Sequence, residues 1–125
     1  LFPWDAQLYL VASRNLLAQG ATEEAEAVLR DGLDRVPLDD GLRLILAAQL
    51  ERQGETREAF LTLQPLDRLR PTGLTKETMA RLAWGLGERS QAERHAREAI
   101  QMGHRSPALA NLLEQMVVAE EEPSA

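Results

Sequence analysis

Residues 18–25 read AQGATEEA, residues 52–59 read RQGETREA, and residues 85–92 read GLGERSQA. One phrase is written three times, at offsets of 34 and then 33 residues. Gly20, Gly54 and Gly87 mark it, and Ala25, Ala59 and Ala92 follow the glycines at a constant distance. Pro37 and Pro71 stand 34 residues apart, each at the end of a unit. A period in this range is the signature of stacked supersecondary units. Between the marks, apolar residues fall at helical spacing. The runs are Leu10, Leu16 and Leu17, then Leu42, Ile45, Leu46 and Leu50, then Met79, Leu82, Ala83 and Leu86.

Each mark has a physical role. A glycine just past a helix end adopts the left-handed conformation that closes the last turn. Thr22 and Thr56 then stand where an N-cap is wanted, accepting a bond from the next helix's free N–H groups. Glu23 and Glu24 suit a helix N-terminus. The alanine one turn into the second helix lets the two helices of a hairpin approach closely. Proline ends each unit because its ring cannot continue a helix. Asp39 or Asp40 can cap the next helix, and Ser106–Pro107 pairs a cap with proline at the first helical position. These signals predict helices at 4–18, 22–35, 39–53, 56–69, 74–86, 89–102 and 107–120. The last of them, with Leu109, Leu112, Leu113 and Met116, has no helix after it to pair with. It is expected to cover the third hairpin, as the end of a stacked array requires. The tail EEEPSA (120–125) reads as disordered.

Composition agrees with an all-α chain. Of 125 residues, 44% are apolar and only 4% aromatic. The apolar residues are mainly Leu and Ala, strong helix formers, with few of the β-branched and aromatic types that favour strands. The formal net charge is −6 and no dense basic stripe is present, which argues against nucleic-acid binding. Lys76 is the only lysine among the bases. With no cysteine, neither a disulfide framework nor a thiolate metal site is available. No apolar run is long enough for a membrane span. The chain begins at Leu1 with no signal-peptide pattern, and is read as an excised or processed piece. The compartment stays open, with a cytoplasmic location favoured over a periplasmic one.

The pattern resembles the tetratricopeptide repeat (TPR) family over residues 6 to about 120. The resemblance rests on the Gln-Gly turns at Gln19–Gly20 and Gln53–Gly54, on Ala25, Ala59 and Ala92, on Pro37 and Pro71, and on the 34-residue period. Small residues at Ser13, Ala47, Ala80, Gly32 and Ala99 fit as well. The aromatic residues usual in the first helix are replaced by Tyr9 and Leu16, Arg43 and Leu50, and Lys76 and Ala83, so the repeats are degenerate. The resemblance implies a right-handed superhelical stack of antiparallel helix hairpins, an all-α TPR-like solenoid of about seven helices. It is expected to form one domain over residues 1–120. Its repeats would cover about 6–39, 40–72 and 73–105, followed by a capping helix at 107–120 and a disordered tail at 121–125.

Pro65 breaks the pattern. It lies inside the fourth helix, deletes a backbone bond and collides with the Leu61 carbonyl, at a cost of ~3 kcal/mol. A kink or break is expected near Gln64. The repeat spacing slips by one residue across this stretch, so PTGLT (71–75) is expected to form a longer, looser connection.

Catalytic chemistry finds little support. His95 and His104 have no evident carboxylate or serine constellation and read as solvated helix positions. No pair of histidines stands one turn apart, as a helical metal site needs. GLGERS (85–90) loosely resembles a phosphate-binding loop, but it follows a helix, and the repeat register already accounts for Gly87. The chain is therefore expected to be no enzyme, and no cofactor or metal is called for.

Recognition remains. In TPR proteins the first helices of the hairpins line a concave groove for partner peptides. In this register the resemblance implies a groove exposing Gln7, Leu10, Arg14 and Leu17, then Leu44, Ala48, Glu51 and Arg52, then Glu77, Arg81 and Trp84, then Ala110, Asn111 and Glu114. Arginine grips carboxylates bidentately, and tryptophan is an anchor of the kind that dominates binding energy. The competing reading pairs the arginines with Glu51 and Glu77 and packs Trp84 into the core. TPR proteins that bind heat-shock chaperones use a Lys/Asn clamp. Here those places carry Leu10, Arg14, Ile45, Glu77 and Arg81, which disfavours a heat-shock C-terminus.

The leading expectation is a non-catalytic scaffold or adaptor that holds a peptide or partner protein, with self-association as a further option. One alternative is a small bacterial secretion chaperone of the type III kind, since SPALANLLEQM (106–116) is similar to the end of needle-subunit chaperones. Another is the repeat domain of a larger enzyme or envelope-assembly protein.

Overall fold

The computed structural model describes residues 3–121. They form seven helices: α1 (Pro3–Ala18), α2 (Thr22–Arg35), α3 (Asp40–Arg52), α4 (Thr56–Leu69), α5 (Gly73–Gly85), α6 (Arg89–Gln101) and α7 (Pro107–Glu121). No strand occurs among the described residues. The boundaries lie within one residue of those expected. α7 runs through Glu121, and the tail expected to be disordered otherwise lies outside the described residues.

The repeated phrase is a turn of fixed geometry. Gly20, Gly54 and Gly87 have φ of +79°, +83° and +77°, and Gly103 joins them at +80°. At each, the glycine N–H bonds the carbonyl three residues back, and the next N–H reaches the carbonyl five residues back. At the first turn these are Gly20 N to Leu17 O at 3.1 Å and Ala21 N to Leu16 O at 2.9 Å. This is the Schellman closure of a helix end.

That closure corrects the expected caps. Thr22 and Thr56 are the first residues of their helices, and the N-cap positions are Ala21 and Glu55, neither with a side-chain cap bond. The turn is so tight that one residue closes a helix and opens the next. Its ψ (68° at Ala21, 59° at Glu55) lies outside the extended range from which a capping side chain reaches back. At the connections after α2, α4 and α6, side-chain caps do form; Asp39 and Thr72 there have extended backbone. Leu42 N donates to Asp39 Oδ2 at 2.9 Å, Thr75 N to Thr72 Oγ1 at 3.2 Å, and Leu109 N to Ser106 Oγ at 3.0 Å. Pro107 takes the first helical position of α7.

The helices fall into two compact units, residues 1–70 with α1–α4 and residues 71–125 with α5–α7. In the first, α1 pairs with α2, α3 with α4, and α2 packs on α3. Ala25, Leu29, Leu42, Ala59 and Leu63 have no exposed surface. At Gly32 a Cβ would lie 2.9 Å from Tyr9 Cβ and 3.0 Å from Leu42 Cδ1, so only glycine admits this approach of α2 to α1 and α3. In the second unit α5 and α6 meet through Ala80, Ala83, Ala92, Ala96 and Ala99, all essentially buried. α7 covers both with Leu109, Leu112 and Met116.

Neither a break in α4 nor a loose connection at 71–75 forms. α4 is continuous through Pro65, so there is no break near Gln64. Leu63 and Leu66, on either side of the proline, are fully buried. Burying two leucines contributes about 1.5–3 kcal/mol each, enough to offset the ~3 kcal/mol proline penalty. Arg43 of α3 also donates to the Thr62 carbonyl at 2.7 Å, one residue past Leu61, the residue four before the proline. Burial lowers the Arg43 pKa from its ordinary value. The connection at 71–75 is short rather than loose, because Thr72 caps α5 and Gly73 is already helical. A Cβ at Gly73 would lie 2.5 Å from His104 Cβ, so glycine there lets the α6–α7 connection close onto α5.

Candidate functional site

In the first unit, α1 and α3 each present one long face past the hairpin contacts. Arg14 and Leu17 of α1 meet Leu44, Ile45, Ala48, Gln49 and Arg52 of α3 around an open cleft of about 290 Å³. The leucines, Ile45 and Ala48 give an apolar floor. Arg14 and Arg52 are exposed, and among the described residues neither makes a hydrogen bond or ion pair. The cleft thus offers two free guanidinium groups beside an apolar surface. Five of its lining residues were expected from the sequence. Ile45 and Gln49 were not named among the groove residues, although Ile45 was counted at a place of the Lys/Asn clamp. Gln49 is only 5% exposed, and a polar residue at a buried helical position was the available signal.

The other expected residues of this unit lie nearby without lining the cleft. Gln7 is exposed. Leu10 is half-buried against Gly41, where a Cβ would lie 3.0 Å from Leu10 Cδ2. Glu51 is half-buried and has a partner, so it is not a free groove carboxylate.

In the second unit Glu77 is a correction. Expected on an exposed groove, it is 8% exposed. Its Oε1 lies 2.8 Å from His104 Nε2 and accepts the Ser106 hydroxyl. One carboxylate therefore ties the α6–α7 connection to α5, and a buried charge needs such partners. His104 correspondingly has the carboxylate and serine neighbours that the sequence did not reveal. Ser106 bonds the carboxylate rather than the imidazole and caps α7, so the group is a brace and not a nucleophile–base pair.

His95, expected on a solvated face, is 1% exposed. Its Nδ1 lies 3.7 Å from Glu98 Oε1, which also takes Lys76 Nζ at 3.0 Å. The i,i+3 spacing of His95 and Glu98 and the lone lysine were the traces of this cluster in the sequence. Arg81 is exposed and Trp84 is half-buried. The Trp84 ring carries Arg89 Cζ 5.3 Å from its centroid, a cation–π contact. Ala110, Asn111 and Glu114 are exposed on α7. Asn111 and Glu114 line an open cleft of about 490 Å³ with Gln115, Val118 and Ala119, all from that one helix.

Among the described residues no three metal-binding side chains cluster, and no helix is long and apolar enough to cross a membrane.

Comparison with known proteins places the fold. No family model matches the chain, and no curated protein matches it in sequence. Solved structures do match. The first TPR of Spaghetti (RPAP3), bound to the HSP90 peptide SRMEEVD, superposes with a TM-score of 0.84 at 15% identity, covering 98% of both chains. A chain of the APC/C hetero-tetramer Cut9-Hcn1 superposes with a TM-score of 0.82 at 18% identity. That match covers 93% of this chain and only 22% of the larger one. The chain has a TPR-like, all-α repeat fold.

Proposed function

We propose that the chain is a non-catalytic interaction module that holds an extended, acidic segment of a partner protein in the α1–α3 cleft. One observation carries this reading: two exposed arginines without partners flank an apolar floor built from two different helices. Leu17, Leu44 and Ile45 take an apolar side chain of the segment, and Arg14 and Arg52 take its carboxylates by charge-assisted bonds. The binding of a peptide by the RPAP3 domain, a protein of the same fold, supports the reading. The particular contacts are this chain's own, since the cleft uses Arg14 and Arg52 rather than a Lys/Asn clamp. Arg81 and Asn111, exposed on the second unit, are proposed as a separate contact surface of that unit, with Trp84 a weaker part of it because Arg89 covers its ring.

The test is titration of labelled acidic peptides containing one leucine against the chain. Binding should weaken tenfold or more in Arg14→Glu and Arg52→Glu. Equal affinity for wild type and both variants would remove the cleft from consideration.

A further inference from the structure

A second apolar cleft, of about 230 Å³, runs between α6 and α7. Its lining includes the carboxylates Glu93 and Glu120, and four of its eight residues repeat, at an offset of 67 residues, a set of positions in the first unit. Arg97, Ile100, Leu113 and Val117 stand where Arg30, Leu33, Leu46 and Leu50 stand there. The caps agree with this register, since Ser106 follows Asp39 by the same offset.

In the first unit α4 packs on α3, which carries two of those positions, and pairs with Arg30 of α2. Leu46 and Leu50 are each 2% exposed, and Arg30 Nη2 pairs with Glu58 Oε1, in the first turn of α4, at 3.2 Å. At the other end of α4, Arg70 donates to the Leu38 carbonyl at 3.2 Å. In the second unit no helix among the described residues covers the corresponding face. Val117 is 54% and Ile100 38% exposed. Arg97, the counterpart of Arg30, makes no ion pair among the described residues.

We infer that the α6–α7 cleft docks an amphipathic helix supplied by a partner protein, with an acidic residue in its first turn lying against Arg97. The covered copy of this face, in the first unit, specifies the chemistry. The helix has α4's pattern, an acid followed by a small residue and then leucines at helical spacing, as in Glu58, Ala59, Leu63 and Leu66. Its first turn lies at Arg97 and its last turn toward the start of α7.

The probe is a labelled peptide with the sequence of residues 55–70 and Pro65→Ala to favour the helix, titrated against the full chain by fluorescence anisotropy. Saturable binding is expected. It should weaken at least tenfold in Val117→Glu and in Arg97→Glu, and recover in Arg97→Glu when the peptide carries Glu58→Lys. Both chain positions are exposed, and circular dichroism verifies that the variants stay helical. Three results overturn the inference. One is no saturation; another is binding that Val117→Glu leaves unchanged but Arg14→Glu abolishes, which puts the peptide in the α1–α3 cleft. The third is concentration-dependent mass in sedimentation that Val117→Glu abolishes and the peptide does not compete, which makes a second copy the occupant.

Discussion

At Gly20 the backbone sits at φ +79°, and a side chain there would meet open space. Gly20→Ala therefore adds backbone strain alone and should destabilise by about 1–2 kcal/mol. Gly85, the last residue of α5 and equally open, has no such φ, so Gly85→Ala should stabilise by up to about 1 kcal/mol. Urea midpoints of opposite shift would verify the pair, and equal shifts would remove the turn assignment. Ala25 has no exposed surface, so Ala25→Phe should overpack the first hairpin and cost about 1–3 kcal/mol by the same measurement. These residues were legible because each does a local task that repeats along the chain. Thr22 and Thr56 were misread for the same reason. A threonine after a glycine looks like a cap until the turn geometry gives the N-cap place to the residue between them.

Among the elements, α4 and α7 carry the sharpest consequences. Pro65→Ala restores an N–H opposite the Leu61 carbonyl. It should stabilise by about 1 kcal/mol or more, since an interior proline costs ~3 kcal/mol and part of that is returned by a less flexible unfolded chain. A destabilised Pro65→Ala would mean that the ring packs better than it breaks. α7 is held to α5 by Glu77, so Glu77→Ala leaves His104 and Ser106 without their shared partner. The expected loss is about 1–3 kcal/mol, with amide exchange rising first at the start of α7. Exchange rising equally along α5, α6 and α7 would argue against a local brace. The existence and ends of the helices were legible, because the 3.6-residue period and the glycine and proline marks are written in adjacent residues. The brace was not, because Glu77 and His104 are 27 residues apart and nothing local pairs them.

For the whole molecule, binding at the α1–α3 cleft should depend on charge. Raising salt from 0.1 to 0.5 M should weaken an acidic peptide severalfold, since exposed charges are screened over distances below 10 Å at that strength. A peptide with its acids replaced by amides should bind weakly at both salts. Salt-independent binding of the acidic peptide would separate the affinity from Arg14 and Arg52. The sequence by itself determined that the chain is a series of α-helical hairpins, and where each begins and ends. Those outcomes follow from hydrophobic period and turn chemistry, which act within a few residues. Only the tertiary structure decided which chemically similar positions are free and which are spent. Arg30 is paired with Glu58 while Arg97, at the same place in the repeat, meets no partner among the described residues. Glu77 and His95 are buried although their neighbours in sequence suggest water. Burial and pairing depend on what the next helix brings to a face, and a repeat period does not say which faces are covered.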